Sequence, residues 1–193
     1  THLLISNHRD IILDPAIIQV LLYENKVHTT EIAVGDNLIT SQFIEDITRS
    51  NGMIKVVRGG TPREIYSNSS HLSEYLRSKI GSGECSAWIA QRNGRTKDGK
   101  DQTSQGLVKM LQMSGSGNFV EDYAALNIVP ISISYQYEPC DFLKARELYI
   151  SKREQYVKQP GEDLQSMLTG LTQYKGNVHF YFAPTLSAEA ISK

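Results

Sequence analysis

Three short polar clusters carry the residue types that could do chemistry: Asn7-His8, Arg58-Gly59-Gly60 and Arg92-Asn93-Gly94-Arg95. His8 is the candidate general base. Imidazole titrates near neutrality and can take a proton from a hydroxyl nucleophile. A nearby carboxylate would fix its tautomer and stabilise the imidazolium that forms. Asp14 can fold back to His8 from the first turn of a following helix, and Asp10 is the runner-up, on a shorter tether. The alternative is that His8 is a loop histidine and Asp14 only a helix N-cap. The segment Gln91 to Lys100 brings four cations, Arg92, Arg95, Lys97 and Lys100, together with Gly94 and Gly99. Guanidinium groups bind phosphate oxygens in pairs, and glycines let the backbone approach closely. This run suits a phosphate-bearing substrate or is a solvated basic loop, and Arg58 allows the same two readings.

The elements that position these clusters follow from hydrophobic periodicity and turn residues. Strands are expected at His2–Ser6, Glu31–Val34, Met53–Val57, Cys85–Ala90, Ile128–Tyr135 and Val178–Phe182. Helices are expected at Pro15–Tyr23, Gln42–Asn51, Ser70–Ile80 and Lys144–Gln159, with a helical or irregular stretch from Leu107 to Leu111. Gln91 to Gln102 reads as a polar loop. Pro130 suggests a strand start or an edge strand. Strands alternating with helices argue for an α/β domain with a largely parallel or mixed sheet flanked by helices. Each polar cluster comes just after a strand, where open α/β sheets bind ligands.

Composition narrows the function classes. A chain of 193 residues, 40% hydrophobic and 21% charged, has the make-up of a folded globular domain. The net charge of −1 argues against a nucleic-acid binder. Cys85 and Cys140 are too few for a disulfide scaffold or a structural zinc site, and Cys85 reads as core. His28, His71 and His179 have no metal-ligand spacing, so no metal is expected. Gly-x-Ser-x-Gly, Walker A and strand-preceded Gly-x-Gly-x-x-Gly motifs are absent. The tyrosines and phenylalanines of the C-terminal third read mostly as core, and no surface helix of amphipathic type stands out. The expectation is one domain over 1–193, part of a longer chain whose membrane anchor, if it has one, lies elsewhere.

In this order the clusters resemble the glycerolipid acyltransferase family, which includes glycerol-3-phosphate and 1-acylglycerol-3-phosphate acyltransferases. Four blocks between Leu3 and Tyr135 carry the resemblance. Block one, Asn7-His8 to Asp14, places five residues between His8 and Asp14 where the family pattern has four. Glu31 to Leu38 looks like the stretch that follows in bacterial glycerol-3-phosphate acyltransferases. Block two is Ile54-Lys55-Val56-Val57-Arg58-Gly59-Gly60. Block three is Trp88 to Thr96, with Arg92 where glutamate is usual, Asn93 where glycine is usual, and Arg95 at the family arginine. Block four is Val129-Pro130-Ile131-Ser132-Ile133.

The resemblance implies an acyl thioester donor, coenzyme A or acyl carrier protein, and a hydroxyl acceptor, glycerol-3-phosphate or a lysophospholipid. It implies His8 as base and Asp14 as its orienting partner. Asn7, Arg58, Gly59, Arg92, Asn93, Gly94, Arg95 and Lys97 would contact substrate, with Arg58 and Arg95 on the acceptor phosphate. It requires no metal or redox cofactor. It further implies phospholipid biosynthesis and peripheral contact with the cytoplasmic side of the inner membrane. Two rival readings stand beside it. The altered third block motivates an acyltransferase for a non-phosphate lipid acceptor. The extra residue in block one motivates an inactive lipid- or thioester-binding module, because a displaced Asp14 would leave His8 unpaired.

Overall fold

A computed structural model describes residues 1–39 and 41–193. The chain runs β1 (Leu3–Ser6), α1 (Leu13–Glu24), β2 (Glu31–Gly35), α2 (Gln42–Ser50), β3 (Met53–Val56), α3 (Pro62–Gly81) and β4 (Ala87–Ala90). It continues through α4 (Gln105–Gln112), α5 (Phe119–Ala124), β5 (Ile128–Tyr135), α6 (Asp141–Ser151), α7 (Glu162–Thr172), β6 (Val178–Phe182) and α8 (Ala188–Ser192). Among the described residues the strands form one sheet in the order β3-β2-β4-β1-β5-β6. All pairings are parallel except β5 with β6, so the sheet is mixed, in an α/β fold.

Strand alternation splits the core into two layers. Leu3, Ala87, Ile89 and Ile128 face one side and pack with Leu76 and Ile80 of α3 and Met110 and Leu111 of α4. Leu4, Trp88, Ile32, Ile131 and Ile133 face the other and pack on Ile18 of α1. A parallel strand covered on both faces must be apolar at consecutive positions, which is why Leu3-Leu4 and Ala87-Trp88-Ile89 read as unbroken runs. The consequence for function lies between β1 and β4. These neighbouring strands send the chain to opposite faces, to α1 and α4 respectively. Such a switch point opens a crevice at the carboxyl ends of the strands.

Several expected boundaries shift. Helix α3 begins at Pro62 rather than Ser70. Thr61 and Glu64 form a reciprocal capping box with Pro62 in the first turn, which starts the helix before its apolar stripe begins. The helix expected over Lys144–Gln159 starts at Asp141 and stops at Ser151, where the amides of Arg153 and Glu154 both turn back to the Ile150 carbonyl. Helices α5, α7 and α8 were not anticipated. The strand expected from Cys85 begins at Ala87, which leaves Cys85 half-buried ahead of it rather than in the core. Burial, with Glu31 close by, raises the Cys85 thiol.

Pro130 marks neither an edge strand nor a strand start. It sits inside β5, between β1 and β6. Its carbonyl accepts from the Ala183 amide just past the end of β6, so its missing N–H falls where the antiparallel ladder has run out. The C-terminal aromatics are mostly not core: Tyr137, Tyr149, Tyr174 and Tyr181 are exposed, while Tyr135 and Phe180 pack on the second core layer. Helix α7 also carries an apolar stripe that faces outward, Leu164, Leu168 and Leu171, at helical spacing. No helix among the described residues is long and apolar enough to cross a membrane.

Candidate active site

The crevice between β1 and β4 is lined by the two loops that follow these strands. They are stitched together by backbone bonds, from the Gln91 amide to the Ser6 carbonyl (2.7 Å) and from the Thr96 amide to the His8 carbonyl (3.2 Å). His8 stands at the crevice, largely enclosed. Its ring meets the Trp88 ring edge-on at 6.0 Å. Trp88 is fixed in turn by its indole N–H, which donates to Ser6 Oγ (3.0 Å).

His8 Nδ1 lies 2.9 Å from Asp14 Oδ2. The fully buried Asp14 carboxylate also accepts from the amides of Arg9 (2.6 Å) and Asp10 (2.9 Å) on the same oxygen. Its other oxygen accepts from the Tyr135 hydroxyl (3.0 Å) at the end of β5. A carboxylate so surrounded, in the first turn of α1 where the helix dipole favours negative charge, is a fixed acceptor. In the tautomer that donates Nδ1–H to this carboxylate, His8 Nε2 carries the lone pair that a base needs. Burial, with the neighbouring Asp14 charge, pushes the Tyr135 hydroxyl far above its usual range, so it remains a donor.

The fifth residue between His8 and Asp14 is absorbed in the loop. Asp10 Oδ1 accepts from the amides of Ile12 and Leu13, at 2.9 and 2.8 Å, so Asp10 serves the first turn of α1 from outside. Asp14 is therefore not the N-cap that its place before Pro15 suggests: the helix begins at Leu13, and Asp14 is released to reach back. The other oxygen of Asp10 is buried without a partner, against Gly170 of α7, where a side-chain carbon would overlap it.

The remaining predicted residues divide. Asn7 is buried and committed to the fold. Its amide gives Nδ2–H to the Ile133 carbonyl (2.9 Å) and takes the Ile133 amide on Oδ1 (2.7 Å), extending the β1–β5 ladder by one side chain. A substrate contact was expected of it, yet both ends of the amide are already taken. Arg95 is buried at 8% exposure, and its Nη1 has no hydrogen-bond partner. Lys97 pairs with Glu147 at 2.5 Å. Arg92 and Gly94 are half-buried and Asn93 is exposed on the same loop.

Arg58 and Gly59 follow the edge strand β3, from which β2 and β4 separate β1. Arg58 lies against Gly35 and beside Asp36 and Asp163. Partial burial lowers its guanidinium from the ordinary value, and the two carboxylates oppose that shift. The structure thus brings His8, Asp14 and the Arg95 loop together and leaves Arg58 apart. Sequence reading missed Tyr135 and the residues of α6 (Lys144, Arg146) and α7 (Gln165, Ser166) that line a recess with Arg95. No local signal could have found Tyr135, because it meets Asp14 across 121 positions.

The Acyltransferase family model, which covers the glycerolipid acyltransferases, matches residues 1–134. The chain belongs to the Acyltransferase family. Membership supports a transferase that moves acyl groups and implies an acyl donor and a lipid acceptor. A search of curated proteins gives no match. In this acyltransferase the matched segment ends at Ser134, so it contains His8, Asp14, Arg58 and Arg95. Tyr135, α6 and α7 lie beyond it.

Proposed function

We propose that the protein moves a fatty acyl group from coenzyme A or acyl carrier protein to a hydroxyl of a glycerol-phosphate or lysophospholipid. The observation that carries this is the His8–Asp14 pair at 2.9 Å in the β1–β4 crevice, beside the loop that holds Arg95. His8 Nε2 takes the acceptor's hydroxyl proton as the oxygen attacks the thioester carbonyl. The tetrahedral intermediate then collapses, an ester bond forms, the carbon–sulfur bond breaks, and the thiolate takes the proton from His8. General-base catalysis of this kind supplies about 10² to 10⁴-fold. Asp14 holds the imidazole in one tautomer and stabilises its charged form. Arg95 neutralises the acceptor phosphate. The step as written needs no redox or metal partner.

The outward apolar stripe of α7, Leu164, Leu168 and Leu171, supports contact with a lipid surface, where such an acceptor resides. With His8 paired, the displacement of Asp14 that motivated an inactive module does not occur. One observation favours a second reading, a non-phosphate lipid acceptor: Arg58 stands beside Asp36 and Asp163 after the edge strand β3, apart from His8, rather than at the base. Thiol release from palmitoyl-coenzyme A tests both. Release that depends on glycerol-3-phosphate or 1-acylglycerol-3-phosphate supports the first reading. Release only with a glycine lipid supports the second. No release with any acceptor, from coenzyme A or acyl carrier protein donors, refutes the proposal.

A further inference from the structure

The loop between His8 and Asp14 must hold a base and its orienting carboxylate in register, and bonds from three directions converge on Arg9. The Arg9 amide donates to Asp14 Oδ2 (2.6 Å). Its guanidinium donates to Asp101 of the loop after β4 (2.5 Å). Its carbonyl accepts from Lys144 Nζ of α6 (3.0 Å). That last bond comes from outside the family-matched segment, which ends at Ser134.

Lys144 stands in an unfavourable place for a cation. It is only 4% exposed and lies close to the positive end of α6. Burial lowers its ammonium from the ordinary value; the bond to Glu138 opposes this shift and the Arg95 charge adds to it. A buried charge is costly unless it is paired and hydrogen-bonded. Lys144 Nζ has Glu138 Oε2 at 2.8 Å and the Arg9 carbonyl. The Glu138 side chain stays 27% exposed, so that ion pair does not itself require burial. What burial adds is the reach to Arg9. The carbonyl it reaches belongs to the peptide group whose N–H is the Asp10 amide. That amide donates to Asp14 Oδ2 (2.9 Å), the same oxygen that faces His8 Nδ1 (2.9 Å). A line of hydrogen bonds therefore runs from Lys144 through one peptide group to Asp14 and His8.

We propose that Lys144 is a positioning residue for the general base, acting through the Arg9–Asp10 peptide to hold Asp14 on His8. The inference rests on the reading of His8 as the base of an acyl transfer. A cation on a peptide carbonyl polarises the group and makes its N–H a better donor, by roughly 10–30% per bond. Loss of the cation weakens one of the bonds that aim Asp14 and frees the loop that carries it. The C-terminal helices grip this loop at a second point. Cys140 Sγ, just before α6, donates to the Ser166 carbonyl of α7 (3.4 Å). Gly170 of α7 lies against Asp10, where a side-chain carbon would come within 2.0 Å of Oδ2.

Two variants of the full chain separate this role from a merely structural one. Lys144→Met and Glu138→Gln both break the Lys144–Glu138 ion pair, but only the first removes the donor to Arg9. In thiol release from palmitoyl-coenzyme A, Lys144→Met should lower kcat about ten- to a hundredfold, with donor and acceptor KM within about twofold. Glu138→Gln should stay within about threefold of wild type in kcat. Lys144→Gln, neutral and with a shorter stem, should show the same loss and serves if Lys144→Met melts early. A kcat within threefold of wild type in a folded Lys144 variant, an equal loss in Glu138→Gln, or a loss carried in KM overturns the proposal. Proton NMR of protein with isotope-labelled histidine reads the same geometry without turnover. The downfield Nδ1–H resonance, assigned by its absence in His8→Ala, should be sharp in wild type and Glu138→Gln and broadened by exchange in the Lys144 variants. If wild type transfers no acyl group, the acyltransferase reading fails by itself and this resonance decides: broadening confined to the Lys144 variants supports the positioning role, and an unchanged line overturns it.

Discussion

Replacing Asp14 by asparagine removes a charge and almost no volume. The buried carboxylate takes three donors on Oδ2, from His8 and the amides of Arg9 and Asp10, and one on Oδ1, from Tyr135. An asparagine can keep its oxygen toward the three donors and turn its NH₂ to the Tyr135 hydroxyl, which rotates to accept. The chain should therefore fold, with a stability loss of about 1–3 kcal/mol as charge-assisted bonds become neutral. The kinetic effect is larger. Two unit charges about 4 Å apart interact by roughly 4 kcal/mol at an effective dielectric of 20. A Nδ1–Oδ2 separation of 2.9 Å puts the imidazolium charge in that range. The amide dipole keeps part of this, so the transition state should lose about 2–3 kcal/mol, or roughly 30- to 150-fold in kcat. The assay is thiol release at saturating donor and acceptor, with circular dichroism confirming the fold. Asp10→Asn is the control: it loosens the start of α1 but should leave kcat within about threefold. A folded Asp14→Asn within threefold of wild type, or Asp10→Asn matching its loss, would refute the pairing argument.

Tyr135→Phe leaves Asp14 Oδ1 without its donor and should lower kcat about three- to tenfold, with acceptor KM unchanged. An unchanged kcat would remove Tyr135 from the positioning of His8. Gly170→Ala places a carbon on Asp10 Oδ2 and should destabilise the docking of α7 by about 1–3 kcal/mol in thermal melts. An unaltered melt would contradict the close approach. The Ser116 amide and hydroxyl, with the Gly117 amide, hold the Asp122 carboxyl below its ordinary value. A lowered carboxylate contributes stability that is complete above the ordinary pKa near about 3.9 and is lost as pH falls through the lowered value. Asp122→Asn should thus lower Tm at pH 7, and the gap to wild type should close below about pH 4. A gap independent of pH would show that the charge is not what matters.

The sheet was largely legible because its strands obey local rules. β5 was placed over its observed span, Ile128–Tyr135, since a run of β-branched residues has little alternative. The first turns of α3 were missed because residues 62–67 are exposed and carry no apolar stripe; the capping box, not burial, starts them. Helix α7 was missed although Leu164, Leu168 and Leu171 stand at helical spacing, because Thr169, Gly170 and Thr172 dilute its propensity. The placement of His8 and the Arg95 loop after strand ends, with Asp14 in the first turn of the following helix, was readable from turn residues and strand order. The way Asp10 releases Asp14 was not, because it depends on which amides each carboxylate meets after folding. Tyr135 and the α6–α7 wall of the Arg95 recess exist only through contacts between distant segments.

The central claim is that His8 is the base of an acyl transfer. The direct measurement is ester product formed from palmitoyl-coenzyme A and a glycerol-phosphate or lysophospholipid acceptor, comparing wild type with His8→Ala. The account predicts acceptor-dependent product in wild type and a loss of at least about 10²-fold in His8→Ala, with the fold intact. Equal product formation by the two proteins would contradict it.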